Sequence, residues 1–183
     1  SSPAGLTAIG STVYFSADDG VAGREVWRSA GTAGTTVRVA DIIAGGVGSN
    51  PTGLVNVNGL LFFAAADAAA GIELWRHDPV ANQTLRMGDI NAGAANASPL
   101  NLTANGSTLF FTAVESATGR ELWKLDAGSS TPTRLSDIAP GVVGSDPAEL
   151  AVSGSTLFFN AHSGDRVGQL WRSNGTVAGT VQV

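Results

Sequence analysis

The four tryptophans of this chain, Trp27, Trp75, Trp123 and Trp171, stand 48 residues apart (75 − 27 = 48, and the same at each later step). No other tryptophan is present, and each closes the same short phrase. The phrase reads Gly23-Arg24-Glu25-Val26-Trp27-Arg28, then Gly71-Ile72-Glu73-Leu74-Trp75-Arg76, then Gly119-Arg120-Glu121-Leu122-Trp123-Lys124. Val167-Gly168-Gln169-Leu170-Trp171-Arg172 is a degraded fourth copy. A fixed period of this size means that one supersecondary unit is built repeatedly, and that each unit needs neighbours to bury its apolar faces.

Aligning the chain on itself at this period gives the plan of the unit. It opens with a proline (Pro3, Pro51, Pro99, Pro147) and a leucine (Leu6, Leu54, Leu102, Leu150) on a first strand. A tight turn follows at Gly10-Ser11, Asn58-Gly59, Gly106-Ser107 and Gly154-Ser155, where glycine supplies the positive φ that a hairpin demands. The second strand is apolar at consecutive positions: Val13-Tyr14-Phe15, Leu61-Phe62-Phe63, Leu109-Phe110-Phe111 and Leu157-Phe158-Phe159. A strand with one wet face would alternate, so both faces of this one are expected to be covered. An alanine two residues on (Ala17, Ala65, Ala113, Ala161) suggests a close approach. The Trp strand comes third, with Glu25 and Trp27 on one face and Val26 and Arg28 on the other. A Gly/Thr-rich link, a short fourth strand (Val37-Arg38-Val39 in the first copy) and an Asp-Ile pair complete the unit.

One stretch contradicts the pattern locally. Ala64 to Ala70 is nearly all alanine, which propensity alone would make helical. The aligned copies carry Gly20 and Gly164 there, so the repeat predicts a turn, and no helix is expected anywhere.

Four short strands per unit at this period predict an all-β chain folded as a four-bladed β-propeller. One domain should cover residues 1–183, with blades at approximately 1–48, 49–96, 97–144 and 145–183. A stacked solenoid is the rival, but its units are usually shorter and its ends need polar caps. All of blade one is N-terminal and all of blade four C-terminal, so no exchanged strand fastens a ring. With no cysteine in the chain, closure would rest on packing alone, and the seam is an expected place for another chain to add on.

Composition removes several function classes. A net charge of −5 argues against nucleic-acid binding, which needs a basic face. No apolar run approaches the ~20 residues of a membrane-spanning helix, so no membrane insertion is expected. Only 14% of residues are charged, and a surface built largely from Ser, Thr, Asn, Gly and Ala fits an exported bacterial protein.

The repeated phrase, with Asn174-Gly175-Thr176, Gly31-Thr32 and the Asp-Ile pairs Asp41-Ile42, Asp89-Ile90 and Asp137-Ile138, resembles the ELWxxDGT repeat of secreted bacterial proteins. Glu73-Leu74-Trp75 and Glu121-Leu122-Trp123 match that motif outright, whereas the first copy has Val26 for leucine and the middle copies lack the Gly-Thr link. The resemblance implies a secreted or cell-surface location without implying an activity. The order of strands is also similar to hemopexin-type four-bladed propellers, in layout only, since the disulfide that closes those rings is impossible here.

The repeated acids are the candidate site residues. Glu25, Glu73 and Glu121 (Gln169 in the fourth copy) could ligate a hard cation such as Ca²⁺ if they faced a common channel. The favoured reading is structural, with each carboxylate accepting backbone N–H bonds, because a buried carboxylate must be paired somewhere. Asp41, Asp89 and Asp137 form a second acidic column, and with the four tryptophans they are read as structural repeat residues. The tryptophans could stack on sugars, but core packing is the stronger reading. His77 and His162 are not equivalent in the repeat, and no nucleophile elbow, zinc-helix motif or phosphate loop is present. No catalytic residue and no cofactor is therefore expected. The function expected is a non-enzymatic structural or adhesive surface module that self-associates or binds other surface proteins. A glycan- or small-ligand-binding propeller is the alternative, and a hydrolase of unknown type the second.

Overall fold

Each of the four units folds as one antiparallel sheet whose strands lie in chain order, in a computed structural model that describes all 183 residues. Sheet 1 holds β1 (Ala4–Ile9), β2 (Thr12–Asp18), β3 (Arg24–Ser29) and β4 (Val37–Arg38). Sheet 2 holds β5 (Thr52–Val57), β6 (Leu60–Asp67), β7 (Gly71–Asp78) and β8 (Gln83–Arg86). Sheet 3 holds β9 (Leu100–Asn105), β10 (Thr108–Glu115), β11 (Gly119–Asp126) and β12 (Thr133–Arg134). Sheet 4 holds β13 (Ala148–Ser153), β14 (Thr156–Ala161), β15 (Gln169–Ser173) and β16 (Val181–Gln182).

The turn chemistry explains the first hairpin of each sheet. Asn58 and Gly59 both take positive φ (51° and 84°), which the two-residue turn joining β5 to β6 requires and which asparagine tolerates better than other side chains. In the second hairpin the register places Phe15 opposite Trp27, Phe63 opposite Trp75, Phe111 opposite Trp123 and Phe159 opposite Trp171. Such cross-strand aromatic pairs are the unit from which a sheet draws stability.

The core lies between sheets. Tyr14 and Val26 of sheet 1 pack with Leu61, Phe63 and Ala65 of sheet 2. Phe62, Leu74 and Met87 of sheet 2 pack with Leu109, Phe111 and Trp123 of sheet 3. Phe110, Leu122 and Leu135 of sheet 3 pack with Leu157, Phe159 and Ala161 of sheet 4. Each sheet thus has a forward face toward the next unit and a backward face toward the previous one. The consecutive apolar residues of the second strand serve both: Phe62 and Phe63 are each 0% exposed.

The first strands form the inner contact line, β1 on β5, β5 on β9 and β9 on β13, and β13 makes no such packing with β1. The expected closure between the first and fourth units is therefore absent, and the sheets form an open series. The tryptophans are not equally buried, which the repeat alone did not foresee, although Trp75 and Trp171 both pack against clusters shared with the preceding sheet. Trp123 is buried between two covered sheets, while Trp27, Trp75 and Trp171 are half-buried.

Two local expectations need correction. A single 3₁₀ turn forms at Ala33–Thr35, where the Thr35 hydroxyl accepts from the Thr32 N–H (3.2 Å) and pairs with the Thr32 hydroxyl (3.0 Å), so the fold is not free of helix. The alanine stretch is not all turn: β6 runs through Ala64, Ala65 and Ala66 to Asp67, pairing with β7 as far as Gly71, and only the three alanines that follow make the bend.

Candidate functional site

The Glu column is the most strongly built polar feature. Glu25, Glu73 and Glu121 are each 0% exposed, and each reaches the linker that leaves its own sheet. Glu121 accepts from the Ser145 hydroxyl (2.6 Å) and from the backbone N–H groups of Ser145 (2.9 Å) and Ile138 (3.2 Å). Glu25 repeats the arrangement, accepting from the Ser49 hydroxyl (2.6 Å) and the Ser49 N–H (2.8 Å). Glu73 accepts only backbone donors, from Ile90 (3.0 Å) and Ala97 (3.3 Å), because alanine stands where the other linkers have serine.

Glycine makes this close approach of the linker workable. Gly23 faces Gly48, and Gly119 faces Gly144, all four at positive φ, with a Cβ at any of them falling on backbone. The linker there bridges to the Trp strand in parallel, Arg24 with Gly48 and Arg120 with Gly144. Sheet 2 solves the problem differently, with the Asn96 side chain accepting from the Ile72 N–H (2.8 Å).

Burial pushes the carboxyl groups of Glu73 and Glu121 above the ordinary glutamate range, against the pull of these donors. The three carboxylates each face their own linker, and no three His, Asp or Glu side chains converge on a point where a cation could sit. As arranged, the column fastens strand to linker.

The second acidic column sits at the surface and is organised by arginines. Arg38 lies 3.2 Å from Asp41 and 3.8 Å from Asp19. Arg86 is 3.8 Å from both Asp89 and Asp67, and Arg134 is 3.5 Å from Asp137 and 3.8 Å from Glu115. All are partly exposed, so each cluster is worth little on its own. Sheet 4 lacks it, with Gln182 where the arginine would stand.

The histidines stay apart. His77 is 0% exposed, bonded through Nδ1 to the Thr84 hydroxyl (3.0 Å) with its ring 5.6 Å from that of Tyr14. Burial, with Arg28 nearby, lowers its pKa below the usual histidine value. His162, just after β14, lies 3.6 Å from Asp146, just before β13. Each indole N–H of the four tryptophans is enclosed without an acceptor, so these rings act in the fold as apolar plates.

Sequence reasoning did not find the concavities at the two ends of the series. A hollow of about 280 Å³ at sheet 1 is lined by Pro3, Phe15, Ala17 and Trp27, with Asp18 and Asp19 at its rim. Another of about 370 Å³ at sheet 4 is lined by Phe158, Leu170 and Gln169, among others. In the structure sheet 1 packs only on sheet 2, and sheet 4 only on sheet 3.

No protein-family model matches the chain, and no curated protein matches it either. Solved structures do share its fold. TolB from Acinetobacter baumannii superposes with a TM-score of 0.56 at 15% identity, over 99% of this chain and 42% of that one. A puromycin hydrolase gives 0.67 at 13% identity, over 98% of this chain and 28% of that one. A puromycin-hydrolyzing peptidase from Mycobacterium tuberculosis gives 0.61 at 14% identity, over 100% and 28%. The chain spans less than half the length of these proteins. At such identities the likeness concerns the fold, which is all-β and propeller-like.

Proposed function

We propose that this chain is a non-enzymatic β-propeller module, built from four 48-residue blades, of an exported bacterial surface protein with ELWxxDGT-type repeats. Its role is structural or adhesive, and it works by associating with copies of itself or with other surface proteins. One observation carries the reading: the buried carboxylates are engaged in holding linkers to strands, while apolar side chains stand exposed on the first and fourth sheets. Leu6 (70% exposed) and Leu170 (53% exposed) occupy positions that are covered inside the series. Exposed apolar side chains at positions covered in the other units point to interaction sites. The propeller-like fold of TolB and the peptidases is compatible with the reading but transfers no activity to this chain.

The test is assembly. Purified chain, concentrated and imaged by electron microscopy with parallel light scattering, should form particles larger than one chain. Material that stays monomeric throughout would remove the reading.

A second reading has its own observation. Trp27 and Phe15 line a hollow with two aspartates at its rim, an aromatic platform beside hydrogen-bond acceptors that suits a sugar ring. A glycan screen in which Trp27→Ala loses binding, and Leu170→Glu on the exposed face of sheet 4 does not, would establish it over self-assembly.

A further inference from the structure

Two residues that break the repeat meet inside the junction between sheets 1 and 2. Tyr14 is the one tyrosine of the chain and stands where the other units have Phe62, Phe110 and Phe158. His77 stands in a column that is otherwise Ser29, Leu125 and Ser173. Ser29 and Ser173 pair their hydroxyls with Thr36 and Thr180 (2.8 Å each), and Leu125 is apolar and buried. His77 keeps the threonine contact, through Nδ1 to the Thr84 hydroxyl, and lays its ring beside that of Tyr14. In this column only His77 can change its charge near neutral pH.

The surroundings suit the neutral ring. Nε2 of His77 is enclosed with no hydrogen-bond partner. Leu61 of β6 stands opposite it, β2 brings Tyr14, and β8 brings Thr84. The charged groups that bear on it are Arg28 of β3 and Asp78, the next residue of β7. Arg28 has the larger effect and opposes a positive ring, while Asp78 accepts from the Val80 and Ala81 N–H groups (2.8 and 3.1 Å). A proton added to the ring makes Nε2–H a donor that nothing accepts, and adds a second positive charge near Arg28. Parting sheet 1 from sheet 2 uncovers the ring and lets water solvate that charge. This junction is also the least supported of the three, with five buried residues in its apolar cluster against seven and twelve in the others.

We propose that the junction between sheets 1 and 2 is a pH-sensitive joint, closed over neutral His77 and opened when the ring takes a proton. Burial first, and Arg28 second, lower the folded pKa, so the open state binds the proton more tightly. Closure therefore has its full support above the ordinary histidine value of about 6.5 and loses it as pH falls toward the folded value. The buried carboxyl groups act the other way. Burial raises Glu73 and Glu121, so their contributions grow as pH falls, and acid weakening is concentrated at this one junction. Both partners lie inside the series, so the joint works whatever covers the outer faces of sheets 1 and 4.

Amide hydrogen exchange on the whole chain, corrected for the pH dependence of intrinsic exchange, tests this between about pH 7.5 and about pH 5. Protection of β2 and β3, taken relative to β10 and β11, should fall by up to ~10-fold per pH unit below about 6.5, the limit for one proton. His77→Leu installs the residue that sheet 3 has in the same column, and its relative protection should stay constant within about 2-fold across the range. His162→Gln, at the histidine 3.6 Å from Asp146, should keep the wild-type dependence. NMR of the wild-type imidazole keeps the test open if His77→Leu fails to fold: the ring should take up its proton only in step with the loss of protection in β2 and β3. Constant relative protection in the wild type overturns the joint. So does a pH dependence that survives His77→Leu or vanishes in His162→Gln, or a ring that titrates at the ordinary histidine value while sheet 1 stays protected.

Discussion

A buried carboxylate costs several kcal/mol unless donors surround it, and three units of this chain keep one at the same place. Glu121 shows why. Its two oxygens gather the Ile138 N–H, the Ser145 N–H and the Ser145 hydroxyl of the linker, all of them buried donors. Replacing Glu121 by Gln turns one acceptor into an NH₂ group facing those donors, and should destabilise the fold by ~1–3 kcal/mol. The cost should depend on pH in a defined direction. Because burial raises the folded pKa, the folded state holds this proton more tightly than the unfolded one. Stability from the group is then fullest below the unfolded glutamate value and declines as pH rises through the raised folded value. The Glu121→Gln penalty, measured by denaturant titration, should shrink from about pH 4 to about pH 8. A penalty that grows over that range would show the ionised form to be the favoured one. His77 acts in the opposite sense: its lowered folded pKa makes its contribution full above the unfolded histidine value, and it is lost as pH falls. Asp41, Asp89 and Asp137 were as visible in the sequence as the glutamates, yet their pairing with Arg38, Arg86 and Arg134 was not, since it depends on how the loop after the fourth strand folds back.

At the scale of the element, the linker is the part that glycine makes possible. Gly144 lies at φ 71° against the backbone of Gly119 and Arg120, where a Cβ has no room. Gly144→Ala should therefore destabilise by more than the ~1 kcal/mol typical of an ordinary Gly-to-Ala strain, because it displaces Ser145 from Glu121 as well. Equal melting temperatures for this variant and the parent would mean that the linker moves freely. The hairpins were legible because their turn residues and the run of apolar neighbours in the second strand carry a local physical demand. The boundary of β6 was not, because the alanines at 64–66 say nothing about strand or turn by themselves and are fixed only by pairing with β7. Burial of the tryptophans was read from equivalence in the repeat, and only Trp123 is buried, with Trp27 on a face that no other sheet covers. The cost of removing the ring should follow that difference. Trp123→Ala, between covered sheets, should cost ~3–5 kcal/mol, and Trp27→Ala distinctly less in the isolated chain, read as midpoint shifts in urea.

Over the whole molecule, stability is a property of junctions rather than of one shared core. Each of the three apolar clusters joins two consecutive sheets, so sheets 2 and 3 are held on both faces and sheets 1 and 4 on one. The sequence announced four equivalent units, and the inequality among them comes from position in the series, which no single unit's residues encode. In a chain of nearest-neighbour contacts, the end units open first and the middle ones last. Amide hydrogen exchange on dilute protein should accordingly show a gradient. The second and third strands of sheets 2 and 3, such as Phe62 to Ala64 and Phe110 to Thr112, should exchange slowest, at the global unfolding rate. The corresponding residues of sheet 4, around Phe158 to Asn160, should exchange faster. Uniform protection across all four sheets in dilute solution would mean that the ends are already covered within one chain, and that the ring closes on itself.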